Sequence, residues 1–202
     1  MIRFYRMVLL FFGVFCLSCF GATAKPQDHL GKKIFNSNRT QVQPAKYQSD
    51  FSPITRKSVS FPAKYSAGTI VIRTGERRLY HVTSSGRATA YGIGVGKSGF
   101  TWSGSNKISR KAEWPGWTPP ARMRAREAKK GRILPAYMPG GPNNPLGARA
   151  MYIGSTIYRI HGTNQPWTIG QAMSSGCIRM ANDDVKHLYA NVSIGTRVVV
   201  LR

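Results

Sequence analysis

One cysteine follows residue 24, and it sits in Ser174-Ser175-Gly176-Cys177-Ile178-Arg179-Met180. Sixteen positions upstream lies His161, within Ile160-His161-Gly162-Thr163-Asn164. A thiol must lose its proton to become a good nucleophile, and an imidazole within reach can take that proton. Gly176 carries no side chain, so backbone N–H groups there, including that of Cys177, can approach a substrate carbonyl and hold an oxyanion. Arg179 is a permanent cation two residues past the thiol. It suits a bidentate grip on a substrate carboxylate, or a lowering of the thiol pKa. The alternative is an ion pair with Asp183 or Asp184 that braces the loop. Thr163, Asn164, Ser174 and Ser175 supply polar groups to line a groove around the pair.

The chain has four histidines. His29 lies in a polar lead-in, His81 in mid-strand and His187 on a packing helix. Only His161 stands at a strand end beside a glycine, where a rigid scaffold can aim it. Asn182, Asp183 and the Gly162 carbonyl are the candidates for orienting its ring.

The two motifs together resemble the L,D-transpeptidase catalytic domain, the YkuD type. Trp117-Thr118-Pro119-Pro120, the run from Met138 to Gly147, and Asn182-Asp183 after the Arg-Met pair extend the resemblance over about 65–202. Ser175 stands where many members carry His or Lys. The resemblance implies Cys177 as nucleophile, His161 as base, the Gly162 carbonyl as its orienting partner, and N–H groups of Cys177 and Gly176 as oxyanion donors. It implies peptidoglycan stem peptides as donors and a mainly β, sandwich-like fold with a few short helices and a capping loop or subdomain over the groove. It implies acylation by carbapenems. No cofactor or metal is expected, since no Cys/His cluster has ligand spacing.

The elements that must position these residues are mostly strands. Residues 69–73 and 78–82 are short β-branched and aromatic runs around Gly75-Glu76, which predicts a hairpin. Residues 88–95, 150–153, 156–161 and 196–201 read as further strands, with the run 156–161 ending on His161. Helices are predicted at 168–173, capped by Thr168, at 182–190, capped by Asn182, and at 120–130, basic and solvent-facing. The stretch between Trp102 and Gly147 holds three tryptophans, many prolines and glycines, and nine basic residues from Lys107 to Arg132, and it reads as an ordered cap.

Residues 1–24 read as an export signal: Arg3 and Arg6, an apolar run from Met7 to Phe20, then Ala22-Thr23-Ala24. The run is shorter than the ~20 residues a bilayer span needs. Cys19 is a poor match to a lipidation site. Cleavage after Ala24 would leave Cys177 unpaired in an oxidising compartment, where a thiol is better explained by chemistry than by packing. Residues 25–64 are polar and aperiodic and read as a tether, with Phe35, Tyr47, Phe51 and Phe61 as docking candidates.

The formal net charge is +23, from 30 Lys and Arg against 7 Asp and Glu. An exported chain with that charge is expected at anionic envelope surfaces, in the periplasm or cell envelope, rather than on nucleic acid. The expected activity is transfer from stem tetrapeptides to another stem or to an envelope protein. The alternatives are an L,D-carboxypeptidase, another envelope cysteine peptidase, or a non-catalytic basic wall-binding module.

Overall fold

Strands dominate the computed structural model, which describes residues 50–202. The export signal, Cys19 and most of the tether fall outside the described residues. The strands are β1 (Lys57–Ser60), β2 (Ile70–Arg73), β3 (Arg78–Ser84), β4 (Arg87–Gly92), β5 (Val95–Gly96) and β6 (Gly104–Glu113), followed by β7 (Arg149–Ile153), β8 (Arg159–His161), β9 (Ala172–Ser174), β10 (Ile178–Arg179) and β11 (Arg197–Leu201). Two helices, α1 (Ala121–Ala128) and α2 (Asn182–Ala190), and a 3-10 turn at Pro166–Thr168 complete the set.

Nine strands form one sheet in the order β1-β4-β3-β2-β11-β6-β7-β8-β10, and β5 pairs with β9 separately. The long strand β6 joins the two halves. Its first residues pair with β11 and its later ones with β7, with the register shifting between Ile108 and Arg110. A shift of this kind bends a strand and lets the sheet fold over itself. Ile70, Ile72, Leu79, Val198 and Val200 from one half accordingly share a core with Met151, Ile153, Ile160 and Ile178 from the other. Helix α2 closes that core with Val185, Leu188 and the partly buried Tyr189.

The β2–β3 hairpin, β7, β11 and the helix at 182–190 stand where the sequence places them. Four expectations are corrected. The run 88–95 breaks into β4 and β5. Residues 168–173 form no α-helix; the chain makes the 3-10 turn and enters β9, pairing with β5. Asn182 does not cap α2, because Ala181 holds the cap position and the Asn182 side chain is used elsewhere. The fourth correction concerns β6, a central strand inside the segment read wholly as a cap.

The lead-in also contributes more than a tether. Strand β1 lies at the sheet edge on β4, and Phe61 is buried against Val71, Val82 and Ala88. The rest of the cap is ordered, as expected. Trp117 and Met138 exchange backbone hydrogen bonds of 2.8 Å, and Asn144 ties Met138, Pro139 and Leu146 together. Helix α1 buries no residue, matching its arginine-rich sequence.

Candidate active site

Strands β8 and β10 run parallel, with Ile160 opposite Ile178 and His161 opposite Arg179. Both isoleucines are buried in the core. Side chains alternate across a strand, so Arg159, His161 and Arg179 turn to the other face. Carrying the register back one residue sets Cys177 beside Arg159 on that same face. Adjacent strands lie ~4.8 Å apart and residues two apart span ~6.6 Å. The Cys177 and His161 backbones are thus diagonal neighbours about 8 Å apart, a separation that side chains leaning together can close.

His161 is 4% exposed. Its Nδ1 lies 2.6 Å from the Gly162 carbonyl. A carbonyl only accepts, so Nδ1 carries the proton and Nε2 keeps its lone pair. Burial pushes the imidazole down to about 3, and the charges of Arg179 and Arg159 push the same way against the carbonyls of Gly162 and Leu146. The ring is therefore neutral near pH 7. Of the three orienting candidates, the Gly162 carbonyl makes the contact. Asn182 instead accepts the Ala148 N–H at 2.9 Å and donates to Asp50 at 3.0 Å. It packs against the backbone of Gly162, where a Cβ would collide with the Asn182 Oδ1. Asp183 pairs with Arg56 at 3.3 Å.

Cys177 is a half-buried free thiol. Burial pushes its pKa up, opposed by the charge of Arg159, by the Arg159 backbone N–H and by the charge of Arg179. Its sulfur contacts the Ile157 carbonyl at 3.9 Å. The resting pair is thus a neutral thiol and a neutral imidazole, not a thiolate and an imidazolium.

The backbone before the thiol is tightly constrained. Gly176 has φ of 110°, and a Cβ there would lie 2.5 Å from Tyr158 Cε1 and 3.1 Å from the Phe100 carbonyl oxygen. Only glycine fits such a position without strain. Tyr158 is itself held by Trp102, stacked at 4.7 Å, and Trp102 Nε1 donates to the Gly176 carbonyl at 3.3 Å. Ser174 Oγ accepts the Gly176 N–H at 3.1 Å and donates to the Cys177 carbonyl at 2.6 Å. The Gly176 N–H is therefore engaged and does not serve as an oxyanion donor here. The Cys177 N–H has no acceptor among the described residues and remains available.

The other expected binding residues divide by what they touch. Thr163 is buried and its Oγ1 accepts the Gln165 N–H at 3.0 Å, which shapes the turn. Asn164 donates to the Asn143 carbonyl at 2.9 Å and lines a cleft with Trp114, Pro142 and Pro166. Ser175 Oγ receives Arg126 of α1 at 3.4 Å, so the cap reaches the residue two before Cys177. Arg179 is half-buried, and burial lowers its pKa. Asp183 and Asp184 both belong to Arg56, so the ion-pair alternative for Arg179 is not what the chain adopts.

The remaining described histidines stand apart in role. His81 is buried within β3, and His187 Nδ1 meets the Tyr91 hydroxyl at 2.8 Å. Arg159 was missed in the sequence. The signal was present: with Ile160 facing the core, alternation puts Arg159 and His161 on one face.

A tethered imidazole and a thiol on one face of two parallel strands match the residues that carried the sequence resemblance. The family model for the L,D-transpeptidase catalytic domain, YkuD, matches residues 67–200. The chain belongs to this family. It is 44% identical over 137 residues to the probable L,D-transpeptidase ErfK/SrfK of Escherichia coli strain K12, covering 65% of this chain and 43% of that protein. It is 42% identical over 134 residues to the probable L,D-transpeptidase YbiS of the same strain, covering 64% and 43%. The match thus spans less than half the length of these relatives. A crystal structure of a probable carnitine operon oxidoreductase from Brucella melitensis is 49% identical, with a TM-score of 0.50, covering 75% of this chain and 96% of that one.

Proposed function

We propose that this L,D-transpeptidase-family chain is an exported cysteine acyltransferase acting on the stem tetrapeptides of peptidoglycan. The single observation that carries the reading is His161, its Nδ1–H fixed on the Gly162 carbonyl, on the face that holds Cys177. That arrangement leaves Nε2 as a base for the thiol. The name of the Brucella melitensis protein speaks of oxidoreduction, and this geometry favours acyl transfer over that chemistry.

The thiol of Cys177 attacks the carbonyl at the L-centre of the third stem residue. Its proton passes to His161 Nε2 as the C–S bond forms, because both groups rest neutral. The Cys177 N–H receives the oxyanion. Collapse breaks the peptide bond, and the imidazolium gives its proton to the departing amine of the terminal D-residue. An acceptor amine then attacks the thioester, its proton goes to Nε2, and the sulfur regains a proton as it leaves.

The acceptor decides the product. Another stem gives a 3–3 cross-link, a lysine of an envelope protein gives an anchored protein, and water gives carboxypeptidase action. The leader-like residues 1–24 and the charge of +23 support export to an anionic envelope.

The test is mass spectrometry of tetrapeptide wall fragments incubated with the protein and with Cys177→Ala. The expected result is release of the terminal residue and a covalent intermediate on Cys177, both absent in the variant. Release that persists in Cys177→Ala overturns the reading, and binding of wall fragments with no turnover points to a wall-binding module.

A further inference from the structure

Acidic residues are scarce in this chain, and each described one has a cationic partner other than Arg159 or Arg179. Asp50 pairs with Lys186, Glu76 with Arg73, Glu113 with Arg149, Glu127 with Arg126, Lys130 and Arg132, and Asp183 and Asp184 with Arg56. Neither Arg159 nor Arg179 has a carboxylate partner among the described residues.

Arg159 is the more unusual of the two. It is half-buried in β8, and its Nε is buried with no hydrogen-bond partner. Its guanidinium carbon lies 5.2 Å from the Tyr152 ring, which packs the side chain without consuming its N–H donors. A buried Nε–H with no acceptor is costly unless an acceptor arrives to meet it. The strand register sets it beside Cys177, two positions before His161 on the same face. Its charge is felt at both the sulfur and the imidazole.

We propose that Arg159 is a donor-recognition residue, forming with Arg179 a two-guanidinium cradle that takes the terminal carboxylate of the donor stem. The inference rests on the acyl-transfer reading and names the donor feature that the site selects. A tetrapeptide cut before its last residue carries that carboxylate one residue past the scissile carbonyl. The two arginines flank Cys177, one across the strand pair and one two residues along it. A carboxylate on the leaving residue therefore reaches either guanidinium while the carbonyl sits at the sulfur. Longer stems, with an amide in place of the carboxylate, lose this contact.

Two measurements test it. The first compares acylation of Cys177 by a tetrapeptide donor with a free C-terminus and by the same donor as its C-terminal carboxamide. The free acid is expected to have an apparent KM ~10- to 100-fold lower, the scale of a charge-assisted hydrogen-bond pair. In Arg159→Gln the gap closes to within about threefold, and Arg159→Lys keeps part of it. The second compares alkylation of Cys177 by iodoacetate and by iodoacetamide, which differ only in the anionic group. Their rate ratio is expected to fall about tenfold in Arg159→Gln.

Equal slowing of both donors and both alkylating agents would show that Arg159 acts on the thiol alone, and the proposal would fail. An unchanged acid-to-amide gap in a folded Arg159→Gln protein would also sink it, while leaving acyl transfer intact. A collapsed alkylation ratio with no turnover of either donor would uphold the cradle and overturn the transpeptidase reading instead.

Discussion

The pH dependence of acylation separates a buried neutral imidazole from an ordinary one. Burial holds His161 at about 3, well below the usual value for histidine. At pH 5, an imidazole of pKa ~6.5 is only about 3% neutral, whereas one near 3 remains almost fully neutral. The Cys177 thiol, raised by burial, stays protonated across this range and adds no acid limb. The second-order rate constant for acylation, which reports the free enzyme, should therefore change less than about twofold between pH 7 and pH 5. An ordinary histidine would cut it about 25-fold. The assay is intact-protein mass after timed exposure to tetrapeptide donor, with circular dichroism checking that the fold survives. A loss of tenfold or more in folded protein would refute the neutral-pair mechanism.

The same lowering links His161 to stability. The unfolded chain binds a proton that the folded site refuses, so the contribution is present above about pH 6.5 and is lost as pH falls toward 3. It amounts to a few kcal/mol at ~1.4 kcal/mol per tenfold change. His161→Gln should flatten the acid limb of the stability curve.

Gly176→Ala should cut acylation at least tenfold and lower Tm, because φ of 110° and the Tyr158 ring oppose a Cβ and a strained residue costs ~1–3 kcal/mol. A wild-type rate there would show the loop to be more pliant than its packing. Asn182→Ala should lower stability by about 1–3 kcal/mol, since the buried Ala148 N–H loses its acceptor. Urea unfolding with an unchanged m-value would report it, and an unchanged midpoint would count against the contact. A carbapenem should add its mass to Cys177 as a stable thioester, because its strained carbonyl can occupy the position of the stem carbonyl; an adduct that persists in Cys177→Ala would contradict this.

Cys177 and His161 could be singled out because they lie in two short motifs whose residue types have few other uses, whereas the residues alone left three orienting candidates for the imidazole open and the fold shows the Gly162 carbonyl making the contact. The hairpin and α2 were legible from local periodicity alone. What escaped was set by tertiary partners. Strand β6, with Gly104, Lys107 and Arg110, has no apolar alternation to announce it, and it is a strand because β11 and β7 flank it. Ser174 looked like a groove residue, and only the structure shows its hydroxyl spanning Gly176 and Cys177. Alternation alone could have put Arg159 on the face of His161, but its lack of a carboxylate partner among the described residues depends on where the acids lie, and that is a property of the whole fold.

The clamp between Arg56 and helix α2 sets the limits of any fragment meant to fold alone. The family match begins at residue 67. A protein cut there would lose Phe61 from its small core, bare the β4 edge, and leave Asp184 buried without its cation. An orphaned buried carboxylate is costly, and an uncovered edge strand invites pairing between molecules. Such a truncation would give aggregates or inactive material even though every residue of both motifs is present. Expression from about residue 50 onward, keeping Asp50 on Asn182 and Lys186, is the shorter limit at which these contacts survive together.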